Sequence, residues 1–323
     1  MTIRKFLGQT AAVVACALFA APAWASAYPD RPVKLIVPQS PGGASDVLAR
    51  LIAQGLTQAW GQSVVVENKA GAGGNIGLDA VAKSPGDGYT LLFTYEGTQA
   101  INVSLRDLPF DPIKDFTPIA AVATVPFIVA VNNDIKARTF QEFVELARAN
   151  PGMTFGSAGS GTVNHLLGEM VNHVADTKLT HVPYKGAAPA LTDLLGGRID
   201  VVFNSVPSIA QQVDAGSVRG LAISSKTRST RFPDIPTIAE SGYTDFNVAP
   251  WFAVFGPAGV PDEVVQKINH DVGVLLADPA FQRNLAKQAA EPLQTTPEQL
   301  GAMLQADVAK WAVVVKQSGA RAD

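Results

Sequence analysis

Apolar residues follow two rhythms along this chain. Short unbroken runs bounded by turn residues, such as VKLIVP at 33–38, predict buried parallel strands. Other stretches carry apolar positions three and four apart. In 46–57 these are Val47, Leu48, Leu51, Ile52 and Leu56, which predicts a helix with Ser45 at its N-cap. The alternation continues with a strand at 63–67, a glycine-rich turn at 71–77, a helix at 76–83 and a strand at 89–94. It resumes with strands at 127–131, 154–156, 180–183, 199–203 and 219–223. Helices at 139–149, 163–174, 189–195 and 208–214 separate them. A strand at 252–255 and two closing helices, 261–276 and 297–317, complete the pattern.

Strands alternating with helices of this length build right-handed βαβ units on parallel sheets. The pattern occurs twice, and the apolar, proline-containing stretches near 118–132 and 245–257 read as crossovers between the halves. A chain that leaves one lobe, builds a second and returns makes a two-lobed α/β body with a cleft. Lobe 1 is expected to comprise 28–124 plus 250–323, and lobe 2 to comprise 125–249. In open α/β sheets ligands bind beyond the carboxyl ends of the strands, so the cleft is the natural site.

The first 27 residues stand apart from this scheme. Arg4 and Lys5 precede an Ala/Val/Leu-rich stretch that ends in two A-x-A sites, at 23–25 and 25–27. That is the pattern of a cleaved secretory signal peptide, and it implies a periplasmic protein. Cys16, the only cysteine, lies inside it, so the mature chain would need a core that is stable without disulfides. Composition adds exclusions. With 47% apolar and 16% charged residues the chain is too hydrophobic to be disordered. A net charge of −3 offers no basic face for nucleic acid.

Two turns share a design suited to an anion. PQSPGGASD at 38–46 and GSAGSGT at 156–162 each follow a strand and open a helix. Glycines let the backbone turn its N–H groups toward a ligand, and a helix start adds unsatisfied donors. Neither is a Walker A loop, and residues 71–77 read G-x-G-x-x-x-G rather than the dinucleotide fingerprint. Ser160 and His165 lack the G-x-S-x-G context of a nucleophile elbow. His165, one turn into its helix, faces either the ligand or the neighbouring lobe, with a structural role as the alternative. No metal and no cofactor is expected.

Five strings, in order, carry a resemblance: YPDRPVKLIVPQSPGGASD, VVVENKAGAGGNIGLDAVAKSPGDGYTLL, FGSAGSGTVNHLLGEM, VPYKGAAPALTDLLGGRIDVVF and PWFAVFGPAGVP. Together they resemble the Bug family, the periplasmic substrate-binding receptors of tripartite tricarboxylate transporters. The resemblance implies a type II Venus-flytrap fold, each lobe a mostly parallel sheet flanked by helices. It implies a monomer that closes on a small carboxylate and delivers it to membrane permease subunits. By position it places Ser40, Gly42 and Gly43 on one lobe, and Ser157, Gly159, Ser160 and Thr162 on the other, around one carboxylate. It adds Thr98, Asn102, Tyr184, Lys185 and Asn204 to the pocket, while Asp46 is read as holding the first turn. The chain departs from the family at Glu96, where a small or hydroxyl residue is common, at Gln99 for His, and at Asn204 for Asp. Glu96 is expected to line the pocket and disfavour multiply charged anions, with a solvated loop acid as the alternative. Two other functions remain open: a receptor that presents its ligand to a membrane sensor kinase, and an exported enzyme using the 71–77 loop or Ser160 and His165.

Overall fold

The computed structural model describes residues 28–320, so the segment 1–27 expected as a signal peptide, with Cys16, lies outside the described residues. The chain builds two mixed sheets. Strands β1 (Val33–Val37), β2 (Val64–Asn68), β3 (Thr90–Tyr95) and β4 (Phe116–Thr124) belong to the first sheet. Strands β5 (Phe127–Val131), β6 (Thr154–Ser157), β7 (Thr180–Pro183), β8 (Val201–Ser205) and β9 (Arg219–Ile223) form the second. The chain then returns as β10 (Trp251–Pro257) and β11 (Glu291–Pro292). The orders are β11-β4-β10-β3-β1-β2 and β7-β6-β8-β5-β9.

The two orders share one logic. In each sheet three parallel strands lie side by side, and a strand arriving from the other half inserts antiparallel beside the third. β10 fills that place in the first sheet and β5 in the second. The sheets are therefore mixed, which refines the expectation of mostly parallel strands. Purely local βαβ pattern shows the parallel trios but not a strand contributed from far along the chain.

Helices cover the sheets: α1 (Ala44–Trp60), α2 (Asn75–Ala82), α3 (Asn102–Leu105), α4 (Phe140–Ala149), α5 (Val163–Val174), α6 (Ala187–Leu195), α7 (Val206–Asp214), α8 (Asp262–Ala277), α9 (Pro279–Lys287) and α10 (Pro297–Ser318). α1 begins one residue after Gly43, so Gly43 and not Ser45 is its N-cap. Ser45 is instead buried in the first turn. α9 and a π-helical turn at Gly97–Ile101 have no counterpart in the sequence reading. β4 was expected only as an extended crossover; it is a nine-residue strand, paired with β10 and β11.

The glycines at 71–77 serve close packing. A β-carbon on Gly77 would lie 2.8 Å from the Pro38 Cα and from the Lys69 carbonyl, so only glycine lets α2 sit this close to β1. The main core runs through both halves. Leu92 and Phe255 of the first sheet share it with Val129, Phe155 and Phe203 of the second, and with Leu304, Trp311 and Val315 of α10. α10 packs on the π-helical turn and on α5, and so touches both halves.

Candidate ligand-binding cleft

Two short crossovers join the sheets. Thr124 ends β4 and Phe127 starts β5, so only Val125 and Pro126 lie between. The return passes through Pro250 into β10, and the Val125 N–H donates to the Pro250 carbonyl at 3.0 Å. Phe127 is also tied to Ser224: its N–H donates to Ser224 Oγ at 3.0 Å, and its carbonyl accepts from the Ser224 N–H at 2.8 Å.

A cavity of about 220 Å³ opens over this junction. Two cross-strand pairs flank it: Tyr95 opposite Phe252 in the first sheet, and Phe127 opposite Ser205 in the second. Val125 and Pro250 contribute the crossovers, while Gln39 and Gly43–Ser45 bring the start of α1. Tyr95 stacks on Phe252 with ring centroids 5.7 Å apart. Burial raises the Tyr95 phenol above its ordinary value, so the ring stays neutral there. Tyr95 also borders a second cavity of about 120 Å³, lined by Asn102, Leu105 and Arg106 on one side and by Ser160, Gly161 and Thr162 on the other. The two glycine-rich loops thus border neighbouring cavities of one cleft, with Tyr95 between them.

The first loop is built around Asp46, which is 5% exposed. Burial alone would raise its carboxyl, but hydrogen bonds from Arg50, from the Gly42 N–H (3.0 Å) and from Asn68 (3.0 Å) outweigh that and hold its pKa below the ordinary range. An ionised Asp46 therefore fixes the PGG turn. Ser40, Gly42 and Gly43 are exposed at its tip, and of these only Gly43 lines the larger cavity. Thr98 lies behind this loop and accepts from Gln39 Nε2 at 2.8 Å.

The second loop spends several of its groups internally. Ser157 is buried, with Oγ 2.6 Å from His181 Nε2 and accepting from the Gly159 N–H. Gly159 accepts from Thr162 Oγ1 at 2.7 Å. His165 receives the Gly161 N–H on Nδ1 at 3.1 Å, faces Glu169 with Nε2 at 3.6 Å and stacks on His181. It props up the loop from inside; with Nδ1 so engaged, it is not poised to serve as a base for Ser160. The remaining positions divide similarly. Asn102 donates to Gly73 and Asn75 while lining the smaller cavity. Tyr184 donates to Asp193 at 2.8 Å, and Lys185 is exposed. Asn204 accepts from Asn164 Nδ2 at 2.8 Å, and its own Nδ2 has no hydrogen-bond partner among the described residues.

Glu96 fits neither expectation. It is 2% exposed and lines neither cavity; its carboxylate accepts from Lys310 Nζ (3.3 Å) and from Trp311 Nε1 on α10. β3 ends at Tyr95, which borders the cleft, and at Glu96 the backbone is already helical, so the chain turns there and the Glu96 carboxylate meets α10 behind the sheet. Burial pushes the Glu96 carboxyl up, and the charge of Lys310 pulls it back in part. Phe127, Ser205, Val125, Pro250 and Phe252 were not foreseen as cleft residues. For Val125, Phe127, Pro250 and Phe252 the signal available was their position within the two predicted crossovers; Ser205, at the end of β8, lies in neither.

The family model described as tripartite tricarboxylate transporter family receptor matches residues 48–320. BugT of Bordetella pertussis is 37% identical over 324 residues, 99% of each chain. An R. palustris protein solved with adipate is 35% identical, with a TM-score of 0.81 over 92% of this chain and all of that one. MatC of Rhodopseudomonas palustris, solved with bound malate, is 29% identical, with a TM-score of 0.76 over 89% of this chain and all of that one.

Proposed function

The chain belongs to the tripartite tricarboxylate transporter receptor family, and on that premise we propose that it is a periplasmic receptor that closes on a small carboxylate and hands it to the transporter's permease. The observation that carries this reading is the cleft itself. One wall comes from the first sheet and the start of α1, the other from β5, β8 and the start of α5. A ligand touching both walls gains its full set of contacts only when they approach, and this differential affinity shifts the equilibrium toward closure. The moving bodies are residues 28–124 with 250–323, and residues 125–249, turning about Val125 and Pro250. The mature protein starts after a cleaved leader ending near residue 27 and acts as a monomer.

The anion is received by the backbone at Gly43–Ser45 on one side and by Ser160 on the other, since the Gly161 and Thr162 N–H groups already donate to His165 and to the Gly159 carbonyl. Charge-assisted hydrogen bonds contribute about 1.5–3 kcal/mol each, and micromolar binding needs about 8 kcal/mol. A few such bonds plus apolar contact suffice without a cationic clamp. Calorimetric titration of matched acid and amide pairs tests the reading, with hexanoate against hexanamide as the first pair. The acid should bind and the amide should bind at least tenfold more weakly. Equal binding of both, or none by any small acid, would remove the carboxylate from the proposal.

A further inference from the structure

The larger cavity is unevenly furnished. Tyr95, Phe127 and Phe252 present rings, and Val125 and Pro250 present aliphatic surface. The polar side chains that line it are few: Gln39 and Ser45 toward the α1 end, Ser205, and Tyr95 with its hydroxyl. No Lys, Arg or His lines it among the described residues. Among the residues lining the two cavities the one cation is Arg106, which belongs to the smaller cavity. Glu96, the acid next to Tyr95, is paired with Lys310 and does not line the cavity.

From this asymmetry we propose that the preferred ligand is a monocarboxylate with an apolar body: the carboxylate lies at the start of α1, and the aliphatic or aromatic remainder fills the space against Tyr95, Phe127 and Phe252. The inference rests on the receptor reading above and narrows its substrate class. The physical reason is desolvation. An apolar body exchanges water for rings and aliphatic carbons and is favoured by the area it buries. A second carboxylate in the same place loses its hydration and meets no cation or cluster of donors in return. The cavity is also small beside the ~300–1,000 Å³ of pockets for drug-sized ligands, which suits a compact acid. The relatives solved with adipate and with malate hold acids with two carboxylates, so this preference comes from the residues of this cleft and not from likeness.

The test compares acids that differ in one group. The full mature protein is titrated calorimetrically with hexanoate, benzoate, adipate, malate and citrate. Hexanoate or benzoate should bind at least tenfold more tightly than adipate, malate and citrate. Ser205→Arg places a cation at the cavity edge on a half-exposed residue. It should raise the affinity for adipate relative to hexanoate at least tenfold. Equal or tighter binding of adipate, malate or citrate to the unaltered protein would overturn the preference and leave the carboxylate receptor standing. Absence of binding by every acid, or equal binding of hexanoate and hexanamide, would overturn both. If Ser205→Arg fails to fold, Gln39→Arg from the opposite wall serves the same comparison.

Discussion

Glu96 and Gly161 show how single residues tie the cleft to the body behind it. The Glu96 carboxylate is the acceptor for a buried indole and a half-buried ammonium. Glu96→Gln keeps an acceptor for Trp311 and removes a buried charge whose desolvation offsets much of its attraction to Lys310. Its stability in urea unfolding should stay within about 1 kcal/mol of the parent protein, whereas Glu96→Ala, which strands the indole N–H, should cost about 1–3 kcal/mol. At Gly161 the backbone adopts φ +77°, and a β-carbon would lie 2.5 Å from Leu105 on the opposite wall. Gly161→Ala should therefore lose about 1–2 kcal/mol for the left-handed backbone alone, measured the same way. It should also weaken ligand affinity, because the added methyl stands where the two walls meet. Asp46 carries a pH signature. Its carboxyl is held below the ordinary value, so its stabilisation is present above the unfolded pKa of about 3.9 and is lost as pH falls through the lower folded value. Asp46→Asn should be about 1.5–3 kcal/mol less stable at pH 7, and the gap in denaturant midpoint should narrow below about pH 4.

At the scale of elements, start signals were legible where they were local. Thr296 and Gln299 form a reciprocal capping box with Pro297 at the first helical position, and α10 begins there. Thr296→Ala should cost about 1 kcal/mol, read as a lower melting temperature. α9 carried a comparable signal, since Asp278 caps the Ala280 and Phe281 N–H groups and Pro279 follows it. Its apolar stripe is too short to announce a helix: only Phe281 and Leu285 are buried, one turn apart. β4 failed for the opposite reason. Six of its nine residues are buried, so no alternation marks it as a strand. The π-helical turn at Gly97–Ile101 has no sequence rule at all; all five residues are buried under α10.

Across the whole molecule, the core is continuous from one sheet to the other through α10. Two lobes that share a core and a helix should unfold together. Circular dichroism and tryptophan fluorescence are therefore expected to give coincident urea transitions, and separate midpoints would show that the halves fold independently. Coordinates of each loop residue depend on this larger frame. The glycine-rich loops were recognisable as anion-type turns from their residues, yet Gln39, Ser157 and Thr162, three of their six hydroxyl and carboxamide side chains, are engaged in holding the loops in place.

The sequence by itself determined the α/β alternation, the repeated half, the family and the existence of two donor-rich turns, because each is read from local segments and their order along the chain. Only the tertiary structure decided which strand ends meet. Tyr95 and Phe252 are far apart along the chain, as are Phe127 and Ser205, and only strand pairing places both pairs on one cavity. It also decided that Glu96 turns to the last helix while its neighbour Tyr95 faces the cleft. That choice follows from the turn of the backbone out of β3 at Glu96 and from the position of α10, and neither is written in the local pattern.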